Sequence, residues 1–443
     1  MHAVRFLLFL LLVLPSAAQA ARGTPWSEPF ADAEDVAEAA AKVERYRDEA
    51  YVVLHDEARF TVDDEGRVTQ EWRLVYRIES DAGLEYADSV EVTWHPWYQE
   101  QPEVRARVVL PSGEVAELDP STLNEFRPES DGSIYSDLRG LEGPLPRLEV
   151  GAVVERVYIT REHRPFFSAG AVYEYSLAWA GPALAREVEL VHPADRPVQV
   201  LGLGLGKALK SRKSKGQVIW HASLGFSKEA PDSPTFLPRD AQPGPALLFS
   251  TGSSWGEVAA AYSARVDEQL AGEDLSELAE TAMGDATDPR EQVDRALAFV
   301  HDRVRYTGLE LGENSQIPVS PSTTLERGYG DCKDQSTLLV GLLRARGIDA
   351  SVALLRAGSW FDVRPELPGL RAFDHAIVYV NDLDLWIDPT DSYAAAGELR
   401  PGSEGRLSLV ARPGVEELVL TPRRSADDNY VDWSSRSSTR SMR

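Results

Sequence analysis

The spacing of apolar residues changes part-way along this chain, and that change limits the folds it can adopt. From about Tyr51 to Ser223, apolar and polar residues alternate, and turn clusters such as Asp63-Asp64-Glu65-Gly66 separate the runs. Alternation with a period of two is typical of half-buried strands, and many short strands with regular turns favour an antiparallel sandwich. From about Ser254 the apolar residues recur at helical spacing instead. The chain therefore combines a β-rich part with a part that contains helices.

The second part is predicted to consist of helices followed by an antiparallel sheet. Its helices are expected at about 254–270, 288–304 and 332–347, and its strands at about 350–356, 375–380, 385–388 and 407–411. Helices and strands that are segregated along the chain in this way indicate an α+β fold.

A chain of 443 residues is too long for one ordinary hydrophobic core. We divide it by pattern as follows: 1–20, a signal peptide; 21–50, a lead-in helix; 51–229, a β-rich domain; 230–252, a Pro-, Asp- and Gly-rich linker; 253–412, an α+β domain; and 413–443, a C-terminal tail that is partly disordered.

The first twenty residues have the pattern of a secretory signal. Arg5 precedes a short apolar run, Phe6 to Pro15, and Ala18-Gln19-Ala20 fits the small-residue cleavage site. No other long apolar run follows, so we expect a mature chain without a transmembrane segment. The predicted location is the periplasm or the extracellular space.

Charge and residue counts exclude several classes of function. A net charge of −25 repels phosphate backbones, so no nucleic-acid partner is expected. The basic run 207–215 is a local exception to this acidic charge. A run of this kind is most often a solvated hairpin tip and less often a binding site. The eight histidines show no ligand-like pairing and no calcium-loop pattern occurs, so neither a metal nor another cofactor is expected. The single cysteine cannot form an intrachain disulfide.

That single cysteine, Cys332, lies where a thiol can be activated. It follows a glycine-punctuated turn, Gly328-Tyr329-Gly330-Asp331, and begins a predicted helix. The positive end of a helix dipole stabilises a thiolate, and the Cys332 amide could help to bind an oxyanion. Lys333 adds a cation that Asp331 and Asp334 oppose. An imidazolium would therefore have to supply much of the stabilisation.

His375 and Asp388 can supply an imidazole base and the group that orients it. They lie at the start and the end of two predicted strands that a short polar turn joins, so a hairpin brings them near each other. Each residue also has an ordinary interpretation: an inert buried cysteine, a structural histidine and a turn aspartate. The order Cys332, His375, Asp388 favours a catalytic triad.

From about Thr251 to Ala411 the chain resembles the transglutaminase-like superfamily. The motifs that carry the resemblance are Tyr329-Gly330-Asp331-Cys332-Lys333-Asp334, Phe373-Asp374-His375 and Trp386-Ile387-Asp388-Pro389-Thr390. The upstream half more weakly resembles DUF3857, a β-rich domain of unknown function found before such domains in exported bacterial proteins, through Leu148–Glu155 and Leu110–Gly113. The resemblance implies a papain-like thiol mechanism with an acyl thioester on Cys332. It also implies an upstream oxyanion-hole residue, for which Gln316 is the first candidate and Tyr306 the second.

The function implied is an exported thiol acyltransferase or amide hydrolase that acts on protein or peptide carboxamides. Cross-linking, deamidation and peptide hydrolysis all remain open, as does the oligomeric state. The alternative is a non-catalytic binding or assembly protein of the cell envelope that uses the β domain for interaction. Relatives with this domain order usually continue further, so this chain either lacks that part or is truncated.

Overall fold

The computed structural model describes residues 33–128, 134–179, 181–228, 244–358 and 361–425. The predicted α+β class is confirmed: a β-rich part is followed by a part in which helices pack on a sheet. The predicted signal peptide lies outside the described residues. Within the described ranges, no helix combines the length and the apolar character that a membrane span requires.

Among the described residues, fifteen strands and two short α-helices form the β-rich part. The helices are α1 (Ala33–Ala41) and α2 (Asp81–Tyr86), and the strands are β1 (Tyr51–Val62), β2 (Val68–Ile78), β3 (Ser89–Trp94), β4 (Glu103–Val109), β5 (Val115–Glu117), β6 (Asn124–Phe126), β7 (Ile134–Ser136), β8 (Arg139–Pro144), β9 (Val153–Arg161), β10 (Val172–Ser176), β11 (Arg186–Pro193), β12 (Gln199–Leu203), β13 (Lys210–Ser214), β14 (Gln217–Leu224) and β15 (Ala246–Ser250).

One eight-stranded sheet forms the frame of this part, in the order β13-β14-β11-β1-β2-β9-β4-β5. All its pairings are antiparallel except that of β1 with β11. Successive side chains of β2 point to opposite faces of this sheet. Leu74 and Tyr76 pack toward the sheet β3-β8-β6, whereas Val75 packs toward α1. The layered arrangement is that of a sandwich with one parallel pair.

The linker predicted over 230–252 is shorter in the structure at its C-terminal end. Residues 246–250 form β15, which lies between β10 and β12 in a three-stranded sheet and is buried throughout. Phe249 contacts Phe60 of β1 at 5.3 Å between ring centroids, so this sheet packs on the large one. This strand was not predicted, because its apolar run is only five residues long and Pro- and Gly-rich sequence precedes it. Residues 229–243 lie outside the described ranges.

Where the structure describes the second part, it contains five α-helices and eight strands. The helices are α3 (Trp255–Leu270), α4 (Ser276–Met283), α5 (Pro289–Arg303), α6 (Pro321–Arg327) and α7 (Cys332–Ala345), and the strands are β16 (Arg305–Tyr306), β17 (Gly308–Glu310), β18 (Tyr329–Gly330), β19 (Ala350–Leu355), β20 (His375–Val380), β21 (Leu385–Ile387), β22 (Leu407–Val410) and β23 (Val419–Leu420).

Helix α7 is the centre of this part, because residues 333–343 are all buried. Helices α4, α5 and α6 pack around it, and strands β19 and β20 cover its remaining side. The sheet has the order β21-β20-β19-β22-β23 and is antiparallel. Strand β23 comes from the beginning of the predicted tail, and residues from 426 onward lie outside the described part.

The two parts share a hydrophobic core and a strand pairing. Tyr98, Phe166 and Ala171 of the β-rich part belong to the same buried cluster as the residues of α7. In addition, β7 pairs with β17 in parallel, and the Gly312 amide donates to Asp137 Oδ2 at 2.8 Å. The β-rich part therefore lies directly against the segment that leads to the candidate site.

Candidate active site

The turn before α7 holds Cys332 at the first position of the helix. Asp331 is the N-cap, and its Oδ1 accepts the amides of Lys333 (3.1 Å) and Asp334 (3.3 Å). Asp334 Oδ2 accepts the Asp331 amide in return at 3.3 Å, which completes a capping box. The Cys332 amide is one of the first four of the helix, which have no intrahelical acceptor. It remains suited to stabilising an anion beside the thiol.

Gly330 lets the turn approach the helix closely. A Cβ built on Gly330 would lie 2.8 Å from Asp334 Cβ and 3.1 Å from Thr324 Cγ2. The first of these distances is shorter than van der Waals contact permits, so only glycine fits without a shift of the capping residues. The glycine of the motif is thus explained by packing at the start of α7.

The charges next to Cys332 are buried and largely compensate each other. Lys333 and Asp331 form an ion pair, with exposures of 6% and 4%. Burial, followed by the negative charge of Asp331, raises the pKa of Asp334 to about 6, although Lys333 acts in the opposite direction. Lys333 is therefore not a free cation for the thiolate, and the imidazole at the site is the more important positive group.

His375 and Asp388 are brought together by the β20–β21 hairpin. Val378 pairs with Ile387 in this hairpin, so Asp388 follows the last residue of β21 and lies diagonally across from His375. His375 Nε2 is 2.9 Å from Asp388 Oδ2, and the histidine side chain is 14% exposed. The hairpin predicted from sequence thus places the two side chains in direct contact.

The same histidine also interacts electrostatically with Cys332. Burial disfavours the charged imidazole, but the hydrogen bonds and charges of Asp388 and Cys332 outweigh it and raise the pKa of His375 to about 10. Because Nε2 is bound to Asp388, Nδ1 is the nitrogen left for the thiol. Burial opposes the charge of Asp388, but its bonds with His375 and Thr390 lower the pKa of this carboxyl. The arrangement favours a protonated imidazole paired with the Asp388 carboxylate.

Ser336 fixes the distance between helix and strand. It lies four residues after Cys332 and so on the same face of α7. Its Oγ donates to the carbonyl of Ala376 at 3.1 Å, and Ala376 is the neighbour of His375. No local sequence pattern predicts this contact, since a serine inside an apolar helix is common.

Thr390 orients the carboxylate of Asp388, a role that the sequence analysis did not predict. Its amide (3.1 Å) and hydroxyl (2.7 Å) both donate to Asp388 Oδ1, while Oδ2 receives His375. Burial lowers the pKa of His301 in α5, although the backbone of Pro389 in the same loop acts in the opposite direction. A threonine two residues after an aspartate is a common turn pattern, which is the only signal that could have found Thr390.

The two oxyanion candidates lie in different surroundings. Tyr306 pairs in register with Gly330, two residues before Cys332. Burial, and then the charge of Cys332, raises the pKa of Tyr306 well above its usual range, so its hydroxyl stays a donor at neutral pH. Gln316 ends a short 3-10 turn, and three residues later the Val319 amide donates to Asp334 Oδ1 at 3.0 Å. Tyr306 therefore lies on the strand that pairs with the turn before Cys332. Gln316 lies on a loop that is anchored to the helix cap.

The described residues contain no group of three or more His, Cys, Asp or Glu side chains arranged to hold a metal ion. Cys332, His375 and Asp388 combine the kinds of group that nucleophilic catalysis requires: a thiol, a base and a carboxylate that can orient the base. What this arrangement can do is form and break an acyl bond to sulfur.

Two family models match the chain in succession. DUF3857, a domain of unknown function with a solved structure, matches residues 64–225, and the transglutaminase-like superfamily matches residues 276–378. The resemblance stated from the motifs is thus confirmed for both parts. No curated protein matches the chain.

The chain is similar in fold to solved structures. A candidate protease from Parabacteroides distasonis is 15% identical, with a TM-score of 0.65, over 84% of this chain and 72% of its own. A candidate cysteine protease from Cytophaga hutchinsonii is 13% identical over 83% and 82%, with a TM-score of 0.21. An M1 zinc metallopeptidase from Deinococcus radiodurans is 14% identical over 46% and 42%, with a TM-score of 0.23. Only the first of these scores supports a shared fold.

Proposed function

Because the chain carries a DUF3857 region followed by a transglutaminase-like domain, we propose that it is a thiol enzyme that transfers or hydrolyses protein or peptide carboxamides through Cys332. One observation carries the proposal: His375 Nε2 lies 2.9 Å from Asp388 Oδ2, and the same imidazole interacts electrostatically with Cys332. A nucleophile, a base and an orienting group in one chain of contacts are the minimum for covalent acyl transfer.

In the first half-reaction the Cys332 thiolate attacks the substrate carbonyl while His375 holds the thiol proton. The oxyanion that forms is stabilised by the Cys332 amide and by Tyr306 or Gln316. The C–N bond then breaks, the leaving nitrogen takes the proton from His375, and an acyl thioester remains on sulfur. Asp388 lowers the free energy of the imidazolium throughout, because its charge and hydrogen bond favour the protonated ring.

In the second half-reaction His375 accepts a proton from water or from an amine, which attacks the thioester. The C–S bond breaks, the acyl group leaves with its new partner, and the thiolate is restored. Water as the acceptor yields deamidation or peptide hydrolysis, and an amine yields a cross-link. The geometry of the three side chains serves all of these outcomes equally.

The test is to detect the acyl-enzyme. The protein is incubated with a library of glutamine-containing peptides, with and without a primary-amine probe, and analysed by mass spectrometry. We expect an adduct on Cys332 in the wild-type protein and none in Cys332→Ala, whose melting temperature should change little. The final products identify the acceptor.

Iodoacetamide labelling gives a second readout that needs no substrate. Cys332 should react faster in the folded protein than in denatured protein. Equal rates, together with the absence of any peptide adduct, would refute the proposed chemistry. If Cys332→Ala still restored function in a deletion strain, the assembly role of the β domain would be the better account.

We further propose that the chain is exported, on the basis of its N-terminal pattern alone. Arg5, the apolar run that follows it and the Ala18-Gln19-Ala20 site support this location. A substrate of the exported enzyme would be an envelope or extracellular protein or peptide.

A further inference from the structure

A cavity of about 440 Å³ lies between the two parts of the molecule, away from Cys332. The β-rich part supplies Phe60, Tyr173 and Leu248 to its wall, and the segment between β19 and β20 supplies arginines. This volume lies within the ~300–1,000 Å³ typical of small-molecule sites. The cavity is therefore large enough for a ligand of modest size.

Three arginines line this cavity in a chain whose net charge is −25: Arg356, Arg364 and Arg371. Two carboxylates, Glu174 and Asp362, also line it. Asp362 is already engaged, because its Oδ1 accepts the Val363 amide at 2.8 Å and its Oδ2 accepts the Leu407 amide at 3.0 Å. Positive charge thus exceeds negative charge at the lining, opposite to the molecule as a whole.

One of the guanidinium groups is held in place before any ligand arrives. Arg371 lies over the rings of Phe166 and Tyr173, 5.4 Å and 5.5 Å from their centroids. Contacts of this kind restrict the side chain and lower the entropy lost when it binds a partner. A planar guanidinium matches carboxylate and phosphate oxygens in a two-pronged geometry.

Part of the cavity wall is apolar. Leu203, Leu248 and Val172 line it, and Leu248 and Leu203 also belong to the buried cluster that includes Leu367. A bare inorganic anion would leave this wall in contact with water. An anion that carries an apolar group would cover the wall and gain the free energy of burying it.

We infer that this cavity binds a small amphipathic anion, whose carboxylate or phosphate group is held by Arg356, Arg364 and Arg371 and whose apolar portion packs on Leu203 and Leu248. The inference does not depend on the proposed chemistry of Cys332. It gives the junction between the two parts a ligand-binding role. The lining segment also carries Arg371, four residues before His375.

The test is calorimetric titration of the full chain with phenyl phosphate, phenylacetate, inorganic phosphate and neutral phenylacetamide. We expect at least one aromatic anion to bind at least tenfold more tightly than both inorganic phosphate and phenylacetamide. Which aromatic anion binds better distinguishes a phosphate from a carboxylate ligand. Equal affinity for the neutral and the charged probes, or no binding of either aromatic anion, would overturn the inference.

Variants localise the site. Arg356→Gln and Arg364→Gln, made separately, should each weaken binding about tenfold. Arg212→Gln removes the same charge from the exposed strand β13 and should leave the affinity unchanged. Unchanged affinity in both cavity variants, or an equal loss in Arg212→Gln, would contradict the assignment.

A measurement on the wild-type protein covers the case in which a variant does not fold. Phenylglyoxal modifies accessible arginines, and peptide mass spectrometry reports the extent at each one. Saturating phenyl phosphate or phenylacetate, whichever binds more tightly, should slow modification of the three cavity arginines severalfold and leave Arg212 unaffected. Uniform protection of all four, or none, would show that the anion does not occupy this cavity.

Discussion

At the scale of single residues, Thr390 shows how the site is held together beyond the three side chains that the motifs identify. Asp388 uses Oδ2 for His375 and Oδ1 for the amide and hydroxyl of Thr390. A carboxylate fixed at both oxygens cannot rotate away from the imidazole. Residues in this supporting position commonly change activity by ~10–100-fold when removed, as they do around metal-bound histidines.

We therefore predict that Thr390→Val slows the alkylation of Cys332 at pH 7 about tenfold and destabilises the fold by roughly 1 kcal/mol. The reason is that valine keeps the shape of threonine but removes the hydroxyl donor. Rates of iodoacetamide labelling over a range of pH, together with urea unfolding, measure both effects.

Thr390→Ser should restore the rate, because it keeps the hydroxyl. Thr281→Val is the matched control, since Thr281 also donates its hydroxyl to an oxygen, that of Glu277 in α4, at 2.9 Å. The role would be wrong if the serine variant were as slow as the valine variant, or if the Thr281 variant were equally slow.

At the scale of secondary-structure elements, the start of α7 depends on close packing by the preceding turn. Gly330→Ala would place a Cβ 2.8 Å from that of Asp334, which is part of the capping box. We predict a loss of about 1–3 kcal/mol in unfolding free energy, the usual range for overpacking, and slower alkylation of Cys332. Thermal or urea unfolding and iodoacetamide labelling check the two parts of this prediction.

Gly225→Ala makes the same substitution at a glycine with no atom within 4 Å of the added methyl group. It should leave both stability and labelling close to wild type. If Gly330→Ala behaved like Gly225→Ala, the packing explanation for the glycine of the motif would fail.

The sequence predicted elements well where local patterns were strong. Strand β20 begins at His375 and ends at Val380 as expected, because three of its six residues, Ile377, Val378 and Val380, are β-branched. Helices α4 and α6 were not predicted, since each is short, at eight and seven residues. The parallel pairing of β1 with β11 has no local signal, because paired residues such as Asp56 and Arg186 lie 130 positions apart in the sequence.

For the site, the sequence predicted three candidate side chains but not the groups that position them. Cys332, His375 and Asp388 stand out through glycine punctuation and hairpin spacing. Ser336 and Thr390 are polar residues of a common kind, and their roles depend on which backbone or carboxylate group the fold brings within 3.1 Å. Such contacts arise from tertiary packing, which no local pattern encodes.

At the scale of the whole molecule, a buried carboxylate close to the junction links stability to pH. Glu162 follows β9 and accepts the Val68 amide at 2.9 Å and the Tyr173 hydroxyl at 2.7 Å. Burial raises its pKa to about 7 in spite of these bonds and the nearby charge of Arg371. Since the ordinary pKa is 4.5, the folded protein holds a proton between these values that the unfolded chain has lost.

The unfolding free energy should therefore fall as pH rises from about 4.5 to about 7, and it should fall no further above that range through this group. Glu162→Gln removes the titration, so we predict that its unfolding free energy relative to wild type rises by about 1–3 kcal/mol between pH 5 and pH 8. Urea unfolding at both pH values measures the difference.

Glu326→Gln, at an exposed glutamate of α6, is the control and should show no such change. The linkage would be contradicted if the Glu162 variant and wild type kept a constant difference across this range.

The parallel pairing of β7 with β17 has a consequence for how such a protein can diversify. Register is fixed there by three consecutive residue pairs, from Gly308 with Ile134 to Glu310 with Ser136. An insertion or deletion next to either strand would shift that register unless the other strand changed with it. The two halves therefore constrain each other's mutations, and we expect them to be inherited together as one evolutionary unit and not exchanged as independent modules.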